Sequence, residues 1–427
     1  MSFVRDALSL LATSTIVTPI GLITSILLAR LLGAEALGFY SVLNNFTSLA
    51  VLLFLFGWPT AVVYRIRNRR RDPALVASTG LVVIAGVSTV VVGVGLLCGD
   101  FLREAVLGGA PPDAYAIALL IIAAQLFARL FVALARALGR FDLSNRYVLL
   151  VAVGLFVAFS GALGLAGASL RNAMFAALGV HVVASLGIGA FVLRESGLSR
   201  QLSTKELSQT IGYSGRSYVQ SIAGQLHEQV DVLMLAAFLI DPAEIAAYAI
   251  AVGVVNRLKI VPEAVSGALF PHVAELDAAE AGSFAARAAR HSAAWAWLAA
   301  LTLGFASPWL IPLLFGPDFK ASVLPALVLL PGSALLTTYM VLARFFMGID
   351  RQGVIVRCQV SSLVVNAVLN VVLIPIWGIL GAATASLISY GLETLLMVLA
   401  FRSATGQTIL GTMLLRPSDI QDYARFF

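Results

Sequence analysis

The chain has 427 residues, of which 60% are hydrophobic and 12% charged, with a net charge of +6. A soluble protein of this length carries roughly twice that charged fraction, and a mean hydropathy of +0.95 excludes a soluble globular domain. Two cysteines and four histidines form no metal-ligand spacing, and no Walker loop, zincin helix or Gly-x-Ser-x-Gly elbow occurs. No metal, no cofactor and no catalytic residue is therefore expected, and the chain is not read as an enzyme.

A spanning helix needs about 20 predominantly apolar residues. Twelve segments qualify: Ala7–Leu32, Leu37–Tyr64, Ala74–Leu97, Ala114–Leu138, Tyr147–Ala168, Ala173–Leu193, Tyr218–Ile240, Ala243–Val273, Ser292–Leu314, Val323–Met347, Ile355–Ile374 and Leu380–Phe401. The fold class expected is all-α, a polytopic membrane protein of about twelve transmembrane helices. Ala34-Glu35-Ala36 imitates a cleavage site, but the apolar run before it is too long for a signal peptide, whose core is about 7–15 residues. It reads as an uncleaved first helix.

Charge sets the orientation. After the second helix come Arg65, Arg67 and Arg69 to Arg71, after the fourth Arg136, Arg140 and Arg146, after the sixth Arg194, Arg200, Lys205 and Arg216. Later turns on the same side carry Arg287, Arg290, Arg344, Arg351, Arg357 and Arg402, whereas the opposite turns hold only Arg103, Arg171 and Lys320. The positive-inside rule then places both termini in the cytoplasm, which requires an even number of helices. The run Arg67 to Arg71 follows a membrane helix directly and lacks interleaved aromatics. It suits anionic headgroups, and no nucleic-acid partner is expected.

The chain also repeats itself. Leu134-Ala135-Arg136 returns as Leu342-Ala343-Arg344, Tyr40 as Tyr248 and Arg194 as Arg402, each 208 residues on and at the matching place in its helix. Six helices repeat as six in the same orientation, an architecture that puts substrate between the halves. The expected lobes are 1–200 and 208–402, joined by the polar stretch Arg194–Gly212, with 403–427 as a cytoplasmic interfacial tail. The segment to Leu415 is too short to span, and Pro417 ends any helix there.

Candidate functional residues cluster in helices 7 and 8. Gln220, Gly224, His227, Glu228 and Asp231 share one face of helix 7. Two readings stand: interhelical hydrogen bonding, or a cavity wall with His227, Glu228 or Asp231 carrying a coupling ion. On helix 8, Asn256, Lys259 and Glu263 share a face, and Lys259 and Glu263 can neutralise each other. Arg257 points elsewhere and has no acid one turn away, which makes it the candidate for an anionic ligand, since a guanidinium suits phosphate. Pro262 should loosen the helix just beyond it. Arg30, near the end of helix 1, either snorkels to headgroups or pairs with Glu35, and Arg129 lies two turns from the end of helix 4.

Several short motifs carry a resemblance. Ala29-Arg30-Leu31-Leu32-Gly33 with Gly38-Phe39-Tyr40, Asp231 with Ala247-Tyr248, Phe315-Gly316-Pro317-Asp318-Phe319, and Pro375 through Gly381-Ala382-Ala383 together resemble the polysaccharide-exporter branch of the multidrug/oligosaccharidyl-lipid/polysaccharide superfamily. Arg257-Leu258, Pro262 and Leu269-Phe270-Pro271 are also similar to the superfamily's lipid II flippases, where the positions of Arg30 and Arg257 hold cavity arginines. Thr24 and Ser25 stand where that group has an Arg-Asp pair, which favours an oligosaccharide-lipid over lipid II. The resemblance implies a MATE-like fold and a monomer that flips a polyprenyl-diphosphate-linked oligosaccharide by alternating access. Arg30 and Arg257 would hold the diphosphate; Asn256, Gln220, His227 and Asp231 would line the cleft; H+ or Na+ would couple. A cation-coupled multidrug exporter on the same fold is the alternative, and it would want an acidic cavity.

Overall fold

The structure, a computed structural model, describes residues 2–200, 218, 222, 225–226, 229–238, 241–260, 262, 278–416 and 419. Among the described residues it is built of α-helices and two short 3-10 turns. It divides into two compact units, Met1–Ala246 and Ala247–Phe427.

The first unit opens with α1 (Ser2–Leu55). At 1.5 Å per residue a straight helix of that length would run about 80 Å, more than twice the ~30 Å hydrocarbon core of a bilayer. Gly33 (φ 75, ψ 175) interrupts it, between the expected ends of helices 1 and 2, so α1 supplies two spans. The second of these stops short of Tyr64. Phe56 (φ 45) and Gly57 (φ 67) turn the chain, and α2 (Trp58–Arg67) restarts with Pro59 in its first turn, where a missing N–H costs nothing. Then follow α3 (Pro73–Leu97), α4 (Gly99–Ala105), α5 (Pro112–Ala137), α6 (Phe141–Leu165) and α7 (Leu170–Ser196). The buried α5 packs against α1, α2, α3 and α7. Part of the seventh expected segment forms α8 (Gln229–Phe238), and α9 (Pro242–Val255) crosses the boundary between the units.

The eighth segment departs from an unbroken helix. After α9 the backbone tightens into a 3-10 turn, Asn256–Lys259. Pro262 has no N–H to offer the carbonyl one turn back, at Leu258, so the loosening that Pro262 predicts takes this form.

The second unit contains α10 (Ala278–Phe315), α11 (Val323–Gly348), α12 (Gln352–Trp377), α13 (Ile379–Thr405) and α14 (Ile409–Met413). Helix α10 begins 14 residues before the expected Ser292. Its first turns are alanine-rich and helix-forming, but Glu280, Arg287 and Arg290 hid them from a search for apolar runs. Arg287 and Arg290 therefore lie on a helix and not in a turn. Helices α11, α12 and α13 pack on one another around Tyr339, Phe345, Phe346, Met397 and Phe401, with Phe345 edge-on to both Phe346 and Phe401. Between α12 and α13 runs a buried, hydrogen-bonded polar seam. Ser362 Oγ donates to the Ser389 carbonyl at 2.7 Å, Asn370 Nδ2 to Asn366 Oδ1 at 3.0 Å and Asn366 Nδ2 to Ser389 Oγ at 3.3 Å.

Nine of the described helices are long and apolar enough to cross a membrane. With α1 supplying two spans and α8 and α9 covering the described parts of the seventh and eighth segments, each of the twelve expected segments contains a helix among the described residues. The protein is a multi-pass, all-α membrane protein.

Candidate functional site

A cavity of about 900 Å3 lies in the first unit, lined by α1, α2, α5 and the glutamines at 225 and 229. Each element turns one helical stripe toward it. Helix α1 offers Ser48, Val51, Leu52 and Leu55, and α2 offers Pro59, Thr60, Val63 and Tyr64, opposite the buried face of α2 made by Trp58, Ala61, Val62 and Arg65. Helix α5 supplies Gln125, Arg129, Val132, Ala133 and Arg136, steps of three or four that hold one face of a helix otherwise buried. Gln225 and Gln229 repeat the same spacing. The Gln229 Oε1 atom is buried with no hydrogen-bond partner among the described residues.

The cavity is basic. Arg129 and Arg136 line it, and among the described residues no carboxylate does. Arg136 is aimed by its Nε, which donates to Ser144 Oγ on α6 at 3.0 Å, leaving its other nitrogens for a ligand. The Tyr64 hydroxyl accepts from Arg69 Nε at 3.1 Å, and the Arg69 guanidinium lies 5.6 Å from the centroid of the Tyr64 ring. Arg67 donates to the Ala137 carbonyl at 3.2 Å and stacks over Phe141. The arginine-rich stretch after α2 thus ties α2 to α5 at the cavity's edge. Cationic forks beside amides and hydroxyls can bind a phosphate and hydrogen-bond a sugar.

The residues that the sequence singled out lie elsewhere. Arg30 is exposed on α1, three residues before the break at Gly33. Asp231 is buried on α8. Asn256 is exposed and Arg257 half-buried in the 3-10 turn, and the Arg257 Nε has no hydrogen-bond partner among the described residues. Lys259 is buried. Gln220, Gly224, His227, Glu228 and Glu263 lie outside the described residues, as does Pro417. None of Arg30, Asp231, Asn256 and Arg257 lines the cavity of the first unit. The face that does line it on α5 is legible as Gln125, Arg129 and Arg136. Treating Arg129 as a lone residue near a helix end concealed it.

Comparison with known proteins places this geometry. Over 91% of the chain the fold superposes on the lipid II flippase MurJ in an inward closed conformation, with a TM-score of 0.77 over 86% of that chain at 12% identity. An inward-facing multidrug resistance MATE family transporter of the MOP superfamily gives a TM-score of 0.76 at 16% identity, over 91% of this chain and 94% of that one. The protein therefore has the fold that these transporters share. In sequence it is 26% identical over 224 residues to the probable low-salt glycan biosynthesis flippase Agl15 of Haloferax volcanii, covering 50% of this chain. The chain spans about half of that relative, 47% of its length. Residues 3–277, which include every residue of the cavity, match the family model of the polysaccharide biosynthesis proteins, and the chain belongs to that family.

Proposed function

We propose that this protein flips a polyprenyl-diphosphate-linked oligosaccharide across the cytoplasmic membrane for polysaccharide assembly. The cavity of the first unit carries the reading, because Arg129 and Arg136 offer phosphate contacts among glutamine, serine, threonine and tyrosine side chains. A glycan needs hydrogen-bonding walls, a diphosphate needs cations, and the lipid tail can stay in the bilayer. Flipping requires alternating access between two lobes, 1–200 and 208–402, and no covalent step. The basic lining favours an anionic substrate over the cationic drugs of an acidic exporter cavity. The name of the Haloferax relative points the same way. In this reading both termini and the basic turns face the cytoplasm, and the protein acts as a monomer. Arg30 and Arg257 are further diphosphate contacts, with Asn256, Gln220, His227 and Asp231 along the path, and His227, Glu228 or Asp231 is available to a coupling H+ or Na+.

Native mass spectrometry of the purified protein tests this. The wild type should retain a polyprenyl-diphosphate glycan, and the pair Arg129→Gln and Arg136→Gln should lose it while remaining monodisperse and fail to restore glycan export in a flippase-deficient host. Undiminished glycan lipid and export in that variant would defeat the reading.

A further inference from the structure

Behind the cavity wall lies a histidine that flipping as described does not use. His181 is half-buried on α7, and its Nε2 sits 3.2 Å from Gln125 Nε2 on α5. With the amide placed this way Gln125 donates and His181 Nε2 accepts, the arrangement that suits a neutral ring with its proton on Nδ1. That Nδ1 atom is buried with no hydrogen-bond partner among the described residues. Turning the Gln125 amide over presents its oxygen instead, which is what a protonated Nε2 requires. One glutamine can therefore serve both protonation states.

Gln125 is also part of the cavity lining, and Arg129 follows it by one helical turn. Helix α7 packs against α5, α6, α3 and α1. Of the charged and titratable groups on those helices, Arg129 is the described one whose charge acts on His181. The same Arg129 acts on Tyr147 of α6 and on Arg136. A second positive charge on His181 is repelled while Arg129 stands bare. An anion on Arg129 offsets that repulsion, and because Arg129 is exposed in the cavity the offset is that of a partly screened pair.

We propose that His181 is a proton-binding site linked to the cavity, taking up a proton when an anion occupies Arg129. This rests on the reading of the cavity as an anion site. Linkage makes the effect reciprocal: a protonated His181 tightens anion binding by the factor by which the anion favours the proton. Substrate phosphate and proton would then be loaded together, through Gln125 and not through the acids of helix 7.

The test uses the full chain in nanodiscs with inorganic sulfate as the probe, because its charge does not change across the pH range in which histidine titrates, about 5.5 to 8. Wild-type affinity should rise at least about fivefold from the alkaline to the acid end, the lower range for linked sites. Sulfate addition to weakly buffered protein should also draw protons from solution. His181→Gln preserves an amide partner for Gln125; this variant should be monodisperse, bind with little pH dependence and take up no proton. An equal pH slope and equal proton uptake in wild type and His181→Gln would overturn the inference while leaving the anion site standing. Absence of sulfate binding to the wild type, or binding that survives Arg129→Gln with Arg136→Gln, would instead overturn the cavity reading on which it rests.

Discussion

One residue of the tail is firmly tied into the second unit. Asp419 is 3% exposed and Arg290 on α10 is 5% exposed, and they meet fork to fork, Nε to Oδ2 and Nη2 to Oδ1, both at 2.9 Å. Arg290 Nη1 also donates to the Gly411 carbonyl at 2.7 Å, and the Arg416 N–H donates to Asp419 Oδ2 at 2.8 Å. Removing one partner of a buried pair strands the other and costs about 3–5 kcal/mol. Asp419→Ala should therefore melt well below the wild type in detergent, and pairing it with Arg290→Met should recover much of the loss. An unchanged melting temperature in the single variant would show that the clamp contributes nothing. Hydrogen bonding from Arg290 pulls the Asp419 carboxyl from 3.8 to about 2. Its contribution is thus complete above the unfolded carboxylate range and fades as pH falls toward about 2. This pair was not legible, since 129 residues separate its members and Arg290 read as part of a turn. The cavity arginines were legible in principle, because their spacing on one helix is a local property.

At the scale of elements, the apolar runs located the spans because lipid leaves the backbone no other partner. What they could not locate was where helices break and touch, which depends on backbone neighbours. Two motif glycines illustrate this. A Cβ on Gly38, in Gly38-Phe39-Tyr40, would lie 1.8 Å from the carbonyl oxygen of Pro242 at the start of α9. A Cβ on Gly381 would lie 2.2 Å from the Leu373 carbonyl oxygen, across the reversal from α12 to α13. Other helical glycines differ: a Cβ on Gly80 or Gly154 would meet Leu130 or Val180, whereas Gly86, Gly161 and Gly164 have nothing within 4 Å. Gly38→Ala should cost at least the 1–3 kcal/mol typical of overpacking, since the obstructing atoms are backbone. Gly21→Ala, on the same helix with nothing within 4 Å, should be neutral or gain up to about 1 kcal/mol from propensity. Thermal stability of the two purified variants checks this, and similar melting for both would show that the approach of α1 to Pro242 is not a constraint.

For the whole molecule the open quantity is direction across the membrane. In the first unit α3, α5, α6 and α7 are joined by short connections, so successive spans alternate. One end of that unit then gathers the stretch after α2 and the turn from α5 to α6, where Arg140 pairs with Asp142 at 3.0 Å and Glu195 at 2.5 Å. The other end holds the turn from α3 to α5, where Arg103 donates to Asp100 at 3.0 Å and to the Ala110 carbonyl at 2.9 Å. In the second unit, the turn from α11 to α12 carries Arg351, and the turn from α10 to α11 carries Lys320. Ion pairs offset charge on both sides, Arg103 with Asp100 and Arg140 with Asp142 and Glu195, while Arg67 and Arg69 stack on Phe141 and Tyr64 and keep their charge. Free cations resist transfer across the bilayer, and they set orientation in short turns. Reporter fusions after Arg71 and Arg216 should therefore read as cytoplasmic, and fusions near Ala110 and Asp318 as external. Replacing Arg70 and Arg71 by glutamine should weaken the bias of the first unit while leaving the contacts of Arg67 with α5 and of Arg69 with Tyr64 in place. External signal after Arg71 with cytoplasmic signal near Ala110 in the wild type would reverse the assignment and, under the proposed function, put the Arg136 end of the cavity on the side opposite to substrate loading.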